Sequence, residues 1–100
     1  MKSIIQGVLD FLKKVREEKV VFIQFIKKDG TLRTMRCTLD FTLIPPEDRP
    51  KSFNLERILA QIQKNRIIHV YDLDKRGWRS IPFDKINWLE ANEKRYLIRK

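Results

Sequence analysis

Apolar positions recur at helical spacing at the start of the chain and then change to a strand rhythm. Over residues 3–18, within an N-terminal region 1–18, Ile4, Ile5, Val8, Leu9, Phe11, Leu12 and Val15 form a stripe of the 3.6-residue kind, which predicts an amphipathic helix. Ser3 with Gln6 three residues on has the layout of a capping box. Such a helix can pack across the rest of the fold or engage a partner. Its polar face is only modestly charged and lacks Trp, which argues against a membrane surface.

Residues 19–27 are dense in β-branched and aromatic types, from Val20 to Ile26, and Asp29-Gly30 follows as a hairpin turn signal. Residues 31–39 then alternate, with Arg33, Met35, Cys37 and Leu39 on one face and Leu32, Thr34, Arg36 and Thr38 on the other. The expected core is Val21, Ile23, Phe25, Met35, Cys37, Leu39 and Ile81. These two strands make up region 19–44.

Region 45–65 opens with an exposed loop marked by Pro45, Pro46 and Pro50. A short helix follows, capped by Ser52 or Asn54, with Leu55, Ile58, Leu59 and Ile62 at i, i+3, i+4 and i+7. Region 66–89 reads as a hairpin, strands 66–73 and 78–83 around a charged turn ending in Gly77, and a last strand near 86–89. Residues 90–100 carry Tyr96, Leu97 and Ile98 between charges and fit a short strand, a helical turn or a tail. The sum is one α+β domain over 1–100: five strands closing a small β-barrel, an N-terminal helix, and a helix inserted between strands 2 and 3.

Composition narrows the function classes. With 42% apolar and 35% charged residues the chain suits a globular fold. No apolar run approaches the roughly 20 residues that span a bilayer, so no membrane partner is expected. Gln6, Gly7 and Asp10 interrupt the first apolar residues, so they make no continuous signal-peptide core. The single cysteine, Cys37, forms no internal disulfide, and a reducing cytoplasm is the expected setting. Neither a metal-ligand cluster nor a phosphate-binding Gly loop is present, so no metal or cofactor is expected.

A net charge of +9 and a pI near 10.0 favour polyanionic partners, nucleic acid first. The excess is spread along the chain, with no polybasic tail. In a strand meander the turns after the first and third strands leave the barrel at the same end. That brings Lys27 and Lys28 near Lys75 and Arg76, with Arg33, Trp78 and Arg79 close by, as a candidate nucleic-acid surface. The alternative places Trp78 in the core and leaves the lysines to solvate turns. Catalysis finds little material. His69 lies inside a strand, Ser80 has no identifiable activating partner, and Asp72, Asp74 and Asp84 are surrounded by Lys75, Arg76, Arg79 and Lys85.

The segment Tyr71-Asp72-Leu73, a charged turn, Trp78-Arg79-Ser80, then Phe83-Asp84-Lys85-Ile86 resembles the signature hairpin of WYL domains. The strand before Lys27-Lys28-Asp29-Gly30-Thr31 and the one after it resemble the first half of the same barrel. The resemblance implies an Sm-like, SH3-type β-barrel. Such barrels occur in bacterial transcriptional regulators and as short phage and bacterial proteins, which regulate and bind rather than catalyse. It further implies a ligand pocket built from Tyr71, Arg79 and Ser80 for a nucleic-acid-derived molecule. Pro82 stands where the family carries a second Arg, and Lys85 keeps the charge of another Arg without its fork. Arg79 is left with two roles, reaching an anionic ligand or pairing with Asp72. No helix-turn-helix pattern is evident. Expected partners are therefore nucleic acid, a host protein docked through a helix or barrel edge, or further copies of the chain, in the host bacterial cytoplasm if the protein is phage-encoded.

Overall fold

The computed structural model describes residues 3–50 and 55–99. Seven strands form one sheet: β1 (Ser3–Gln6), β2 (Val21–Ile26), β3 (Leu32–Thr38), β4 (Ile67–Asp72), β5 (Gly77–Pro82), β6 (Ile86–Ala91) and β7 (Lys94–Arg99). Their order across the sheet is β1-β7-β6-β2-β3-β4-β5. Helix α1 (Gly7–Glu17) joins β1 to β2, and α2 (Leu55–Asn65) lies between β3 and β4. The five-strand expectation is therefore corrected to seven, and the sheet is open, its ends at β1 and β5.

Both additional strands come from the chain ends. The helix expected over 3–18 starts only at Gly7, because residues 3–6 are extended and pair in parallel with β7, Ile4 opposite Leu97 and Ile5 opposite Ile98. The β-branched pair Ile4-Ile5 suits a strand. Gly7 then takes φ +88°, a left-handed turn that L side chains avoid, and strand passes straight into helix. The N-cap is therefore Gln6 in place of the expected Ser3, and Gln6 makes no side-chain cap bond. Of residues 90–100, left open by the sequence, Glu90 and Ala91 complete β6 and Lys94–Arg99 form β7, and Asn92 and Glu93, both at positive φ, join the two.

Helix α1 buries Val8, Phe11 and Val15 against the sheet, and Phe11 meets Phe83 edge-on with ring centroids 5.9 Å apart. Of the expected core, Val21, Ile23, Met35, Cys37 and Ile81 are buried, while Phe25 and Leu39 are half-buried against it. In α2 Ile62 is buried. The expected caps Ser52 and Asn54, and the side chains of Leu55, Ile58 and Leu59, lie outside the described residues.

Central strand β2 pairs with β3 along its length and with β6 through a bulge at Gln24–Phe25. The β4–β5 hairpin is fully paired from Ile67–Pro82 to Asp72–Gly77. It joins β3 by only two residue pairs, Cys37–Asp72 and Thr38–Tyr71. A 3-10 turn, Phe83–Lys85, carries the chain from β5 to β6, and the Phe83 N–H donates to the Arg66 carbonyl.

Candidate nucleic-acid interface

Residues paired directly across β4 and β5 share a face, and successive residues alternate. Ile68, Val70 and Asp72 therefore share the core-facing side with Ile81, Arg79 and Gly77. His69 and Tyr71 share the other side with Ser80 and Trp78.

The core-facing side ends in charge. Asp72 is fully buried. Its Oδ1 accepts the backbone N–H groups of Asp74 and Lys75, both at 3.0 Å, which fixes the β4–β5 turn. Its Oδ2 accepts from Arg33 Nη2 at 2.8 Å and lies 3.7 Å from Arg79 Nε. Burial pushes the carboxyl upward. The Lys75 N–H, the Arg33 guanidinium and the Asp74 N–H together outweigh it, so Asp72 stays below the usual carboxylate range.

Around this anchor runs a groove of about 720 Å³ between the β2–β3 and β4–β5 turns. Its cations are Lys27, Lys28, Arg33, Lys75, Arg79 and Lys85, and its apolar lining is Phe25, Ile26, Ile81 and Pro82. Asp29 is the one acid among the lining residues. That carboxylate is turned to its own loop, accepting from the Thr31 hydroxyl at 2.6 Å and the Thr31 N–H at 3.0 Å, and those bonds hold it below its ordinary value. Gly30 at φ +88° makes the tight turn that carries Lys27 and Lys28. The lining therefore combines an excess of positive charge with apolar side chains, an arrangement suited to phosphates and to bases or other flat groups.

Five of the seven residues expected at a nucleic-acid surface line this groove: Lys27, Lys28, Arg33, Lys75 and Arg79. Arg76 and Trp78 do not. Arg76 sits at φ +53° in the β4–β5 turn. Trp78 is on the outer side of the hairpin, neither in the core nor in the groove. Its indole N–H donates to the Asp48 carbonyl at 2.8 Å, and its ring meets Tyr71 edge-on at 5.6 Å. The Tyr71 hydroxyl donates to Asp48 Oδ2 at 2.6 Å, so the two aromatics hold the 3-10 turn Pro46–Asp48 against the hairpin. The Asp48 carboxylate, and secondarily burial, push the Tyr71 phenol up to about 12.

The ligand trio suggested by the resemblance is divided between the two sides. By register Tyr71 and Ser80 alternate to the side opposite Arg79, yet Ser80 lines the groove together with Arg79, and Tyr71 is the member that does not. Ser80 Oγ and His69 Nδ1 share a 2.9 Å hydrogen bond, both residues being exposed. The sequence did not point to Asp48, and it offered Lys85 only as the stand-in for a family Arg, not as part of the basic surface. Asp48 is 23 residues from Tyr71 and leaves no local signal. Lys85 follows from the turn that Phe83 anchors, which places it beside Pro82 at the groove.

Among the described residues no helix is long and apolar enough to cross a membrane, and no group of three or more His, Cys, Asp or Glu could hold a metal ion. No curated protein and no solved structure matches the chain. A family model, WYL_2 with an Sm-like SH3 β-barrel fold, matches residues 9–87, from the start of α1 into β6 and across both hairpins that bound the groove. The chain therefore belongs to the WYL_2 family of Sm-like SH3 β-barrels.

Proposed function

We propose that this protein is a small non-enzymatic regulator that binds nucleic acid through the groove between its two hairpin turns. One observation carries the reading: six cationic side chains from separate parts of the chain converge on a single concave surface whose one acid is held by its own turn. Each phosphate neutralised there releases counterions, so affinity falls with salt. A globular domain with one buried free thiol suits a bacterial cytoplasm, and a small barrel of this family suits a phage-encoded factor acting in its host.

The test is fluorescence anisotropy with a labelled oligonucleotide over a salt series. The parent should bind with log affinity falling by about 0.7 per log unit of salt for each phosphate contacted by a single strand. The Lys27→Ala/Lys28→Ala/Lys75→Ala/Lys85→Ala variant should bind far more weakly. Parent-like binding by that variant at moderate salt, or binding indifferent to salt, would falsify the proposal.

A second reading, a module docking on a host protein through a barrel edge, rests on a different surface. On edge strand β1, Ile4 is 59% exposed and lies beside Leu97 of β7, itself 39% exposed. An apolar pair at an open strand edge offers both backbone groups and side chains to an added strand. An Ile4→Lys variant that loses a captured partner yet still binds oligonucleotide would favour this reading.

A further inference from the structure

The six groove cations are not alike. Four are lysines, flexible point charges; two are arginines joined to the same buried carboxylate. Asp72 bonds Arg33 Nη2 at 2.8 Å, and that contact alone neutralises it. Arg79 approaches the same Oδ2 with Nε at 3.7 Å, beyond a normal hydrogen bond. Among the described residues this is the one ion pair that Arg79 makes. Its position on β5 faces the core side, opposite Val70, yet the side chain is 44% exposed and lines the groove. A second guanidinium on a core-facing position is surplus to balancing Asp72, and two like charges held on one carboxylate repel each other.

We propose that Arg33 and Arg79, yoked by the buried Asp72 carboxylate, form a discrete phosphate clamp in the groove. The proposal rests on the reading of the groove as a nucleic-acid site and specifies where a phosphate is seated. Each guanidinium carries five N–H donors in a rigid fork that fits phosphate oxygens, and Asp72 bonds only one nitrogen of Arg33. A phosphate between the two relieves their repulsion and takes the remaining donors. Asp72 is the positioning residue. It fixes the Arg33 fork by a hydrogen bond and draws the Arg79 guanidinium close by charge before a ligand arrives, and through the Lys75 N–H it also sets the turn that carries a third groove cation. The ligand chemistry is a phosphate, supplied by a nucleic-acid backbone or by free pyrophosphate.

The test turns on the sign of an effect. Asp72→Asn makes the groove more positive, so a diffuse cationic surface would bind a labelled thymidine oligomer more tightly. The clamp requires weaker binding, by about five- to tenfold. Arg33→Lys/Arg79→Lys keeps every charge and removes both forks. The clamp requires a loss of about tenfold with the salt dependence little changed, whereas a diffuse surface requires no loss. The lysine double variant decides the matter alone if Asp72→Asn fails to give a cooperative melt. Pyrophosphate titrated into the parent by calorimetry identifies the source. Binding that the lysine double variant loses means the clamp takes free phosphate, and no binding beside a weakened oligomer means it takes backbone phosphate. Tighter binding by Asp72→Asn together with unchanged binding by the lysine double variant overturns the clamp but leaves the cationic groove standing. The groove itself fails only if the parent does not bind the oligomer, or if the four-lysine alanine variant binds as well as the parent.

Discussion

The two sides of the β4–β5 hairpin differ by one residue of register and in what their largest side chains contact. The outer side spends its large residues on structure: Tyr71 and Trp78 reach Asp48 and hold the proline-rich turn in place. The core-facing side is apolar at Ile68, Val70 and Ile81, then ends in Asp72 and Arg79 where the barrel opens to the groove. The lesson concerns motifs. Residues adjacent in a signature alternate across a strand, and of Tyr71, Arg79 and Ser80 it is Arg79 and Ser80 that line the groove. Under the proposed function Arg79 on one face binds while Tyr71 and Trp78 on the other support, and the two roles can be separated by mutation.

The largest effect should come from removing what both sides share. Phe83 is fully buried, packs edge-on against Phe11, and its N–H bonds the Arg66 carbonyl where the hairpin strands end. Phe83→Ala should cost about 3–5 kcal/mol in denaturant unfolding and disturb both sides together. A loss well under that would mean the hairpin is supported from elsewhere.

Asp72 comes next, on the core-facing side alone. Asp72→Ala strands Arg33 and two turn N–H groups, for a loss of about 2–3 kcal/mol. The pH dependence follows from its depressed value. The contribution is complete above the ordinary carboxylate range near pH 4 and is lost as the pH falls through the lower folded value. Acid unfolding of the parent and of Asp72→Asn should therefore differ below about pH 4 and run parallel above it.

On the outer side, Tyr71→Phe should lower the Tm by a few degrees and leave oligonucleotide affinity unchanged. Its signature lies at the alkaline end. The phenol is raised to about 12, so its share of stability is present below its ordinary value near 10 and lost as the pH climbs toward 12. Tyr71→Phe should abolish that alkaline component. If it weakened oligonucleotide binding instead, the division between the two sides would be wrong.

The smallest effect expected is none at all. Cys37 is fully buried on β3 beside Asp72, and burial first, then the Asp72 charge, push its thiol up. A thiol reagent should leave native Cys37 unlabelled over the time in which it fully labels the denatured chain. Rapid labelling of the native protein would show that the β3–β4 seam, held by two residue pairs, opens readily.

Much of this was legible along the chain. The alternation from Arg33 to Leu39 identified the buried side of β3, and Asp29-Gly30 marked a turn whose glycine is indeed left-handed. Meander connectivity led to Lys27, Lys28, Lys75 and Arg76 at one end, and the first three of these line the groove. The face of the β4–β5 hairpin was not legible. Ile68 and Val70 on one side and Tyr71 and Trp78 on the other are both apolar enough to be core, so a period of two leaves the register undecided. The early helix boundary was missed because Ile4 and Ile5 fit a helical stripe as well as a strand.

By itself the sequence determined the local elements and the chemistry available: two hairpins with charged turns, an amphipathic helix, an excess of cations and a family motif. Such signals act over a few residues, through backbone propensity and periodicity, and survive without knowledge of the partner strand. Only the tertiary structure decided that β1 pairs with β7 from opposite ends of the chain, that Asp48 receives both aromatics, and that Arg33 and Arg79 meet on Asp72. Those contacts depend on which segments the sheet order makes neighbours. That order is set by the burial of the whole core at once rather than by any local run of residues.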